Sequence, residues 1–138
     1  MADVFETFLG LSHGERVEYG KGSAGAIIQY CQSEGLDDEQ TLAFFCSLVK
    51  LFVSADRSCA RAEYDLFIDI TGFDLSTDKF FEMTNGGASS DFVNAIFEVI
   101  HAMSSDAKDA VVVFGLCICS ADRDVSYAEK QVIARVYQ

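Results

Sequence analysis

The feature that most constrains this chain is an acidic turn that occurs twice, 66 residues apart (Asp56 to Asp122). The stretch from Ser54 to Glu63 aligns with the stretch from Ser120 to Glu129, and Ser-Ala-Asp-Arg at the start and Ala-Glu at the end are identical. Apolar residues recur around it at the same offset: Leu48 with Phe114, Leu51 with Cys117, Phe52 with Ile118, Phe67 with Ile133 and Ile70 with Val136. A match that keeps both the acids and the flanking apolar pattern predicts a duplicated helix-turn-helix, with repeat halves over about residues 40–71 and 106–137.

Apolar spacing favours helix along the whole chain, and there is no proline to break one. Phe5, Phe8 and Leu9 predict a short first helix, and Gly10 to Gly14 a loop. Ala24 to Gln32 predicts a second helix, ended by Gly35. Asp37 and Asp38 precede a largely buried helix whose stripe is Leu42, Phe45, Leu48, Val49 and Phe52. Further helices are expected over Arg61–Thr71, Ser76–Thr84, Phe92–Met103 (capped by Ser89, Ser90 or Asp91), Ala107–Ser120 and Tyr127–Tyr137. Ala107–Ser120 is apolar all round from Ala110 onward, so it should be central. Its Val111-Val112-Val113 has strand propensity, but the duplicate partner Phe45-Cys46-Ser47 lies in a helical stripe. The expected architecture is all-α, one domain over residues 1–138, a compact bundle of about seven helices.

The net charge of −12 opposes nucleic-acid binding, which needs clustered Lys and Arg, and the ten basic residues are scattered. A cationic partner, a metal ion or simple solubility suits the charge better. The longest apolar run, Ala110 to Cys119, falls short of the ~20 residues that span a bilayer, so no membrane insertion is expected. Five cysteines make an odd count without a Cys-x-x-Cys pair. With no export signal evident, a reducing cytoplasm is the expected location.

Each acidic turn runs helix, aspartate, short turn, glutamate, helix. Asp56 and Asp122 fall near helix C-termini, where a negative charge opposes the helix dipole by ~0.3–1 kcal/mol. Glu63 and Glu129 fall in the first turn of the next helix, where it is favoured. Three accounts stand side by side. In a structural one, Ser126-x-x-Glu129 is a capping box and the aspartates accept bonds from turn amides or pair with Arg57 and Arg123, although Ala60 replaces the capping serine in the first copy. In a cation-binding one, Asp56, Glu63, Asp122, Asp124 and Glu129 converge about a pseudo-twofold on one hard divalent ion; the spacing is not that of an EF-hand. In the third, the acids contact a partner.

Other patterns carry less. Glu98-x-x-His101 is a single Glu-x-x-His step and reads as an exposed pair. Gly20-Lys21-Gly22-Ser23-Ala24-Gly25 matches a dinucleotide fingerprint but follows a polar segment rather than a buried strand, so it reads as a flexible break before a helix. Cys59 stands where the second copy has Val125, which favours an apolar role over a nucleophile. With no base-nucleophile set, no enzymatic activity is expected.

The two turns resemble those of the TerB-like tellurite-resistance family over roughly Gln40 to Tyr137. The resemblance rests on Ala55-Asp56 with Glu63, Ala121-Asp122 with Glu129, and an apolar then small residue in each turn (Cys59-Ala60, Val125-Ser126). Arg57 and Arg123 stand where the family usually has glycine. The resemblance implies an all-helical fold with two helical hairpins, divalent metal at the acids, no established enzymatic activity and a place in bacterial stress responses. The expected function is therefore a non-enzymatic stress-response accessory domain that takes a divalent cation at its acidic turns, with no other cofactor. The alternative is a protein-interaction or homo-oligomerisation module without metal.

Overall fold

The computed structural model describes residues 4–53, 61–85, 88–122 and 127–137, except for the side chains of Val4, Phe5, Asp122 and Ala128. The described residues form α1 (Val4–Leu9), α2 (His13–Ser33), α3 (Asp38–Val53), α4 (Arg61–Thr71), α5 (Thr77–Thr84), α6 (Ser90–His101), α7 (Ser105–Cys119), a 3-10 turn (Ser120–Asp122) and α8 (Tyr127–Arg135). They contain no strand, so the all-α expectation holds. None of their helices is long and apolar enough to cross a membrane.

The largest departure from expectation is α2, which starts at His13 and runs unbroken through the glycine-rich stretch. The loop expected over Gly10–Gly14 is therefore shortened to Gly10–Ser12, and the break expected over Gly20–Gly25 is corrected. A glycine inside a helix costs ~1 kcal/mol relative to alanine, and this helix carries four (Gly14, Gly20, Gly22, Gly25). Two things offset that cost. Ser12 Oγ accepts the Glu15 N–H at 3.2 Å while Glu15 Oε1 accepts the Ser12 N–H at 2.9 Å, a complete capping box. Those bonds to Ser12 also hold the Glu15 carboxyl below its ordinary pKa. Then Arg16, Gly20, Ser23, Ala24, Ile27 and Cys31 form a buried stripe at helical spacing that packs on α7 and α4. Gly20 is needed there, because a Cβ on it would lie 2.2 Å from Ile70 Cδ1. Gly35, at φ +77°, ends the helix: its N–H reaches Gln32 O and the Leu36 N–H reaches Cys31 O, both at 3.0 Å.

Helices α3 and α7 make the centre. Phe45, Leu48, Val49 and Phe52 of α3, and Val111, Phe114, Cys117, Ile118 and Cys119 of α7, have no exposed surface. The valine run is helical because burial against neighbouring helices outweighs a weak strand propensity. Gly115 lets the two helices close: a Cβ on it would sit 2.7 Å from Cζ of Phe52. Phe45, Phe67 and Phe114 pack edge to face, with Phe45 and Phe114 centroids 5.3 Å apart. Serine hydroxyls cap α5 (Ser76), α6 (Ser89) and α7 (Ser104). The end of α8 is fixed by Arg135, whose guanidinium lies 4.2 Å from the Phe97 ring centroid and whose Nη2 donates to Asn94 Oδ1 at 3.2 Å.

Candidate functional site

Helices α3 and α4 flank the first acidic turn, and α7 and α8 flank the second, 66 residues on. The apolar pairs aligned by that offset agree in burial: Leu48 and Phe114, Leu51 and Cys117, Phe52 and Ile118, Phe67 and Ile133, and Ile70 and Val136 are all in the core. The hairpins pack crosswise, α3 against α7 and α8, and α4 against α7 and the 3-10 turn.

Glu63 is the third residue of α4 and Glu129 the third of α8, and both are 0% exposed. Both lie in a first turn, at the positive end of the helix dipole. A carboxylate removed from water needs positive charge or several donors around it. Both glutamates do take part in polar or electrostatic interactions. Of the other expected ligands, Asp56 and Asp124 lie outside the described residues, as does the capping serine Ser126. Asp122 closes the 3-10 turn, and its side chain is outside that description. Among the described residues no group of three or more His, Cys, Asp or Glu side chains could hold a metal. The described donors are two carboxylates, whose oxygens suit a hard cation and which would need the turn aspartates to complete a site.

One residue the sequence reading passed over stands at the second turn. Arg16, in the first turn of α2, is 3% exposed. Its Nε donates to Ser120 Oγ at 3.0 Å, and its Nη2 donates to the carbonyls of Phe8 (2.9 Å) and Leu9 (3.1 Å). Ser120, the C-cap of α7, passes the bond on to Cys117 O at 3.2 Å. A single guanidinium thus satisfies carbonyls at the end of α1 and meets the cap of α7. The signal was present in the sequence: extending the Gly20–Ala24–Ile27–Cys31 spacing back one turn reaches Arg16, behind the Ser12-x-x-Glu15 box.

The remaining candidates separate. His13 Nε2 meets Asp69 Oδ2 at 2.7 Å on the surface, and His101 Nε2 meets Arg135 O at 3.0 Å. Among the described residues the two histidines meet an aspartate and a backbone carbonyl rather than a serine, threonine or cysteine. Burial pushes the thiols of Cys46 and Cys117 up to about 12, against which the Arg16 charge acts weakly at Cys117. Such thiols stay protonated at neutral pH and behave as small apolar groups. Gly20-Lys21-Gly22 lies inside α2 and offers no loop to cradle phosphate. In comparisons with known proteins, no family model, no curated protein and no solved structure matches the chain.

Proposed function

We propose that this chain is a non-enzymatic accessory domain of the TerB-like kind, acting in a cytoplasmic stress response, in which the two acidic bends together take one divalent cation. The observation that supports this reading above others is that the same position of both bends carries a glutamate with no exposed surface (Glu63 and Glu129). A helix-capping role alone is met at the surface, as Glu15 does at the start of α2. Two matched carboxylates drawn into the interior of a chain with net charge −12 offer hard oxygen ligands that suit a divalent cation, beside the contacts that both already make. Glu63 and Glu129 would hold it from the helix side, and Asp56, Asp122 and Asp124 from the turns, with oxygen ligands only. Calcium, magnesium and manganese fit that set better than zinc, which prefers nitrogen and sulfur.

Calorimetric titration of the four ions into the protein, the Asp56→Asn/Asp122→Asn variant and the Glu63→Gln/Glu129→Gln variant tests this. Saturable binding to the wild type that both variants lose is expected. Absence of saturable binding of any of the four at millimolar concentration would overturn the cation reading.

The second reading, a metal-free interaction or oligomerisation module, is favoured by Tyr127, which is 77% exposed at the first position of α8, beside the second bend. Tyrosine offers large contact area at low entropic cost, and a cationic partner would complement the charge. A mass in light scattering that rises with concentration, and falls back in Tyr127→Ser, would support that reading.

A further inference from the structure

Seven of the twelve residues of α6 are apolar, yet only Phe97 and Ile100 are buried. The core takes that side of the helix, with Met103 just beyond its end, and Arg135 lies over the Phe97 ring. A second apolar edge is left over. It consists of Phe92, Ala95, Val99 and Ala102, spaced three, four and three residues apart. Ala95 and Ala102 are exposed, Val99 is 37% exposed, and Phe92 is half-buried with Lys50 Nζ 5.0 Å from its ring centroid. That spacing is the a and d seam of a coiled coil, which a second helix fills. The two alanines leave holes on either side of Val99, into which larger side chains of a facing helix fit as knobs.

The charges beside the seam select the helix that fits it. Asp91 and Glu98 stand one residue before Phe92 and Val99, at the g positions, two turns or about 10 Å apart, and both are exposed. The e positions, Ile96 and Met103, pack into the core. In a parallel pair g faces the partner's e, and in an antiparallel pair g faces g. A second copy of this chain would therefore set core residues against Asp91 and Glu98 in one orientation and the same two carboxylates in the other. Neither offers them a positive charge. A helix flanked by lysine or arginine does, and the net charge of −12 steers it in. We propose that the edge formed by Phe92, Ala95, Val99 and Ala102 is a docking seam for a basic amphipathic helix of a protein partner. That helix carries large apolar side chains on its own seam and lysine or arginine beside it. Two heptads make a small contact, so the complex is transient and weakens with salt. The inference uses neither the acidic bends nor Tyr127 and stands apart from both readings of function.

The probe is a fluorescein-labelled peptide of about three heptads, with leucine at a and d and lysine at e and g, titrated with the full chain and read by anisotropy. A control peptide carries glutamate at e and g. Saturable one-to-one binding of the lysine peptide, and none of the control, is expected. Val99→Asn leaves the charge unaltered and should weaken binding roughly tenfold. Asp91→Asn/Glu98→Gln should weaken it by a similar factor at low salt. Asp38→Asn/Glu39→Gln, the same change in charge at the other end of α3 from Lys50, should leave it unchanged. All five altered side chains are exposed, and matching thermal melts establish that the fold is intact. Wild-type affinity in Val99→Asn, or an equal loss in the α3 pair, would mark bulk charge attraction and overturn the proposal. Absence of saturation at millimolar peptide would also overturn it. So would a wild-type dimer in sedimentation equilibrium that Val99→Asn abolishes, since the seam would then belong to a second copy.

Discussion

Gly115→Ala isolates the contact that lets the two central helices close. A Cβ placed on Gly115 would lie 2.7, 2.8 and 2.9 Å from Cζ, Cε2 and Cε1 of Phe52. Ordinary carbon contacts lie at about 3.5–4.0 Å, so the ring would have to retreat by close to 1 Å. Phe52 has no exposed surface, so the ring has nowhere open to go. Overpacking of this kind costs about 1–3 kcal/mol, and three clashing atoms place it at the upper end. Alanine returns about 1 kcal/mol of helix propensity, which leaves a net loss of about 2 kcal/mol. Gly25→Ala is the matched control. Gly25 is exposed in α2 with no atom within 4 Å of the added methyl, so that substitution should stabilise by about 1 kcal/mol. With an unfolding entropy of about 0.3 kcal/mol/K for 138 residues, the two variants should melt about 10 °C apart. Circular dichroism or calorimetric melts give the difference. Phe52→Leu in the Gly115→Ala background should recover part of the loss, a coupling that a double-mutant cycle reads directly. Gly115→Ala melting at or above the wild type would refute the close approach of α3 and α7.

Two further predictions concern buried polar groups. Arg16→Met should destabilise by about 2–4 kcal/mol in urea titrations, because it removes the buried charged hydrogen bonds donated to the Phe8 and Leu9 carbonyls and to the Ser120 hydroxyl. The thiols of Cys46 and Cys117, raised from an ordinary 9.0 to about 12 by burial, should resist alkylation in the native protein at pH 8. Their folded-state pKa is the higher one, so the native state holds more protons between the two values. Stability from these groups is thus complete below pH 9 and declines as pH rises towards 12, which denaturant titrations across that range would follow.

The long helices were legible because their apolar stripes are wide and their boundaries chemically marked. Ser89 was among the residues expected to cap α6, and the residues expected to face the core in α3 and α7 do so. The first half of α2 was not legible. Its glycines read locally as a flexible break, and only the tertiary fact that Gly20 must sit against Ile70 explains their cost. Arg16 was hidden for a related reason. A charged residue next to Glu15 and Glu18 looks like a solvated face until α1 and α7 are seen to close over it. Of the acidic bends, the sequence marked Glu63 and Glu129 as equivalent, but their complete burial depends on how the hairpins pack. The helix dipole argument alone would have left them at the surface, as it leaves Glu15.

Anomalous difference density from a crystal soaked in manganese tests the matched-carboxylate account most directly. The account predicts one peak within coordinating distance of carboxylate oxygens of both Glu63 and Glu129, completed by aspartates from the two bends and absent in the Glu63→Gln/Glu129→Gln protein. Glutamates found bonded only to backbone amides of their own turns, with no manganese between them, would contradict it.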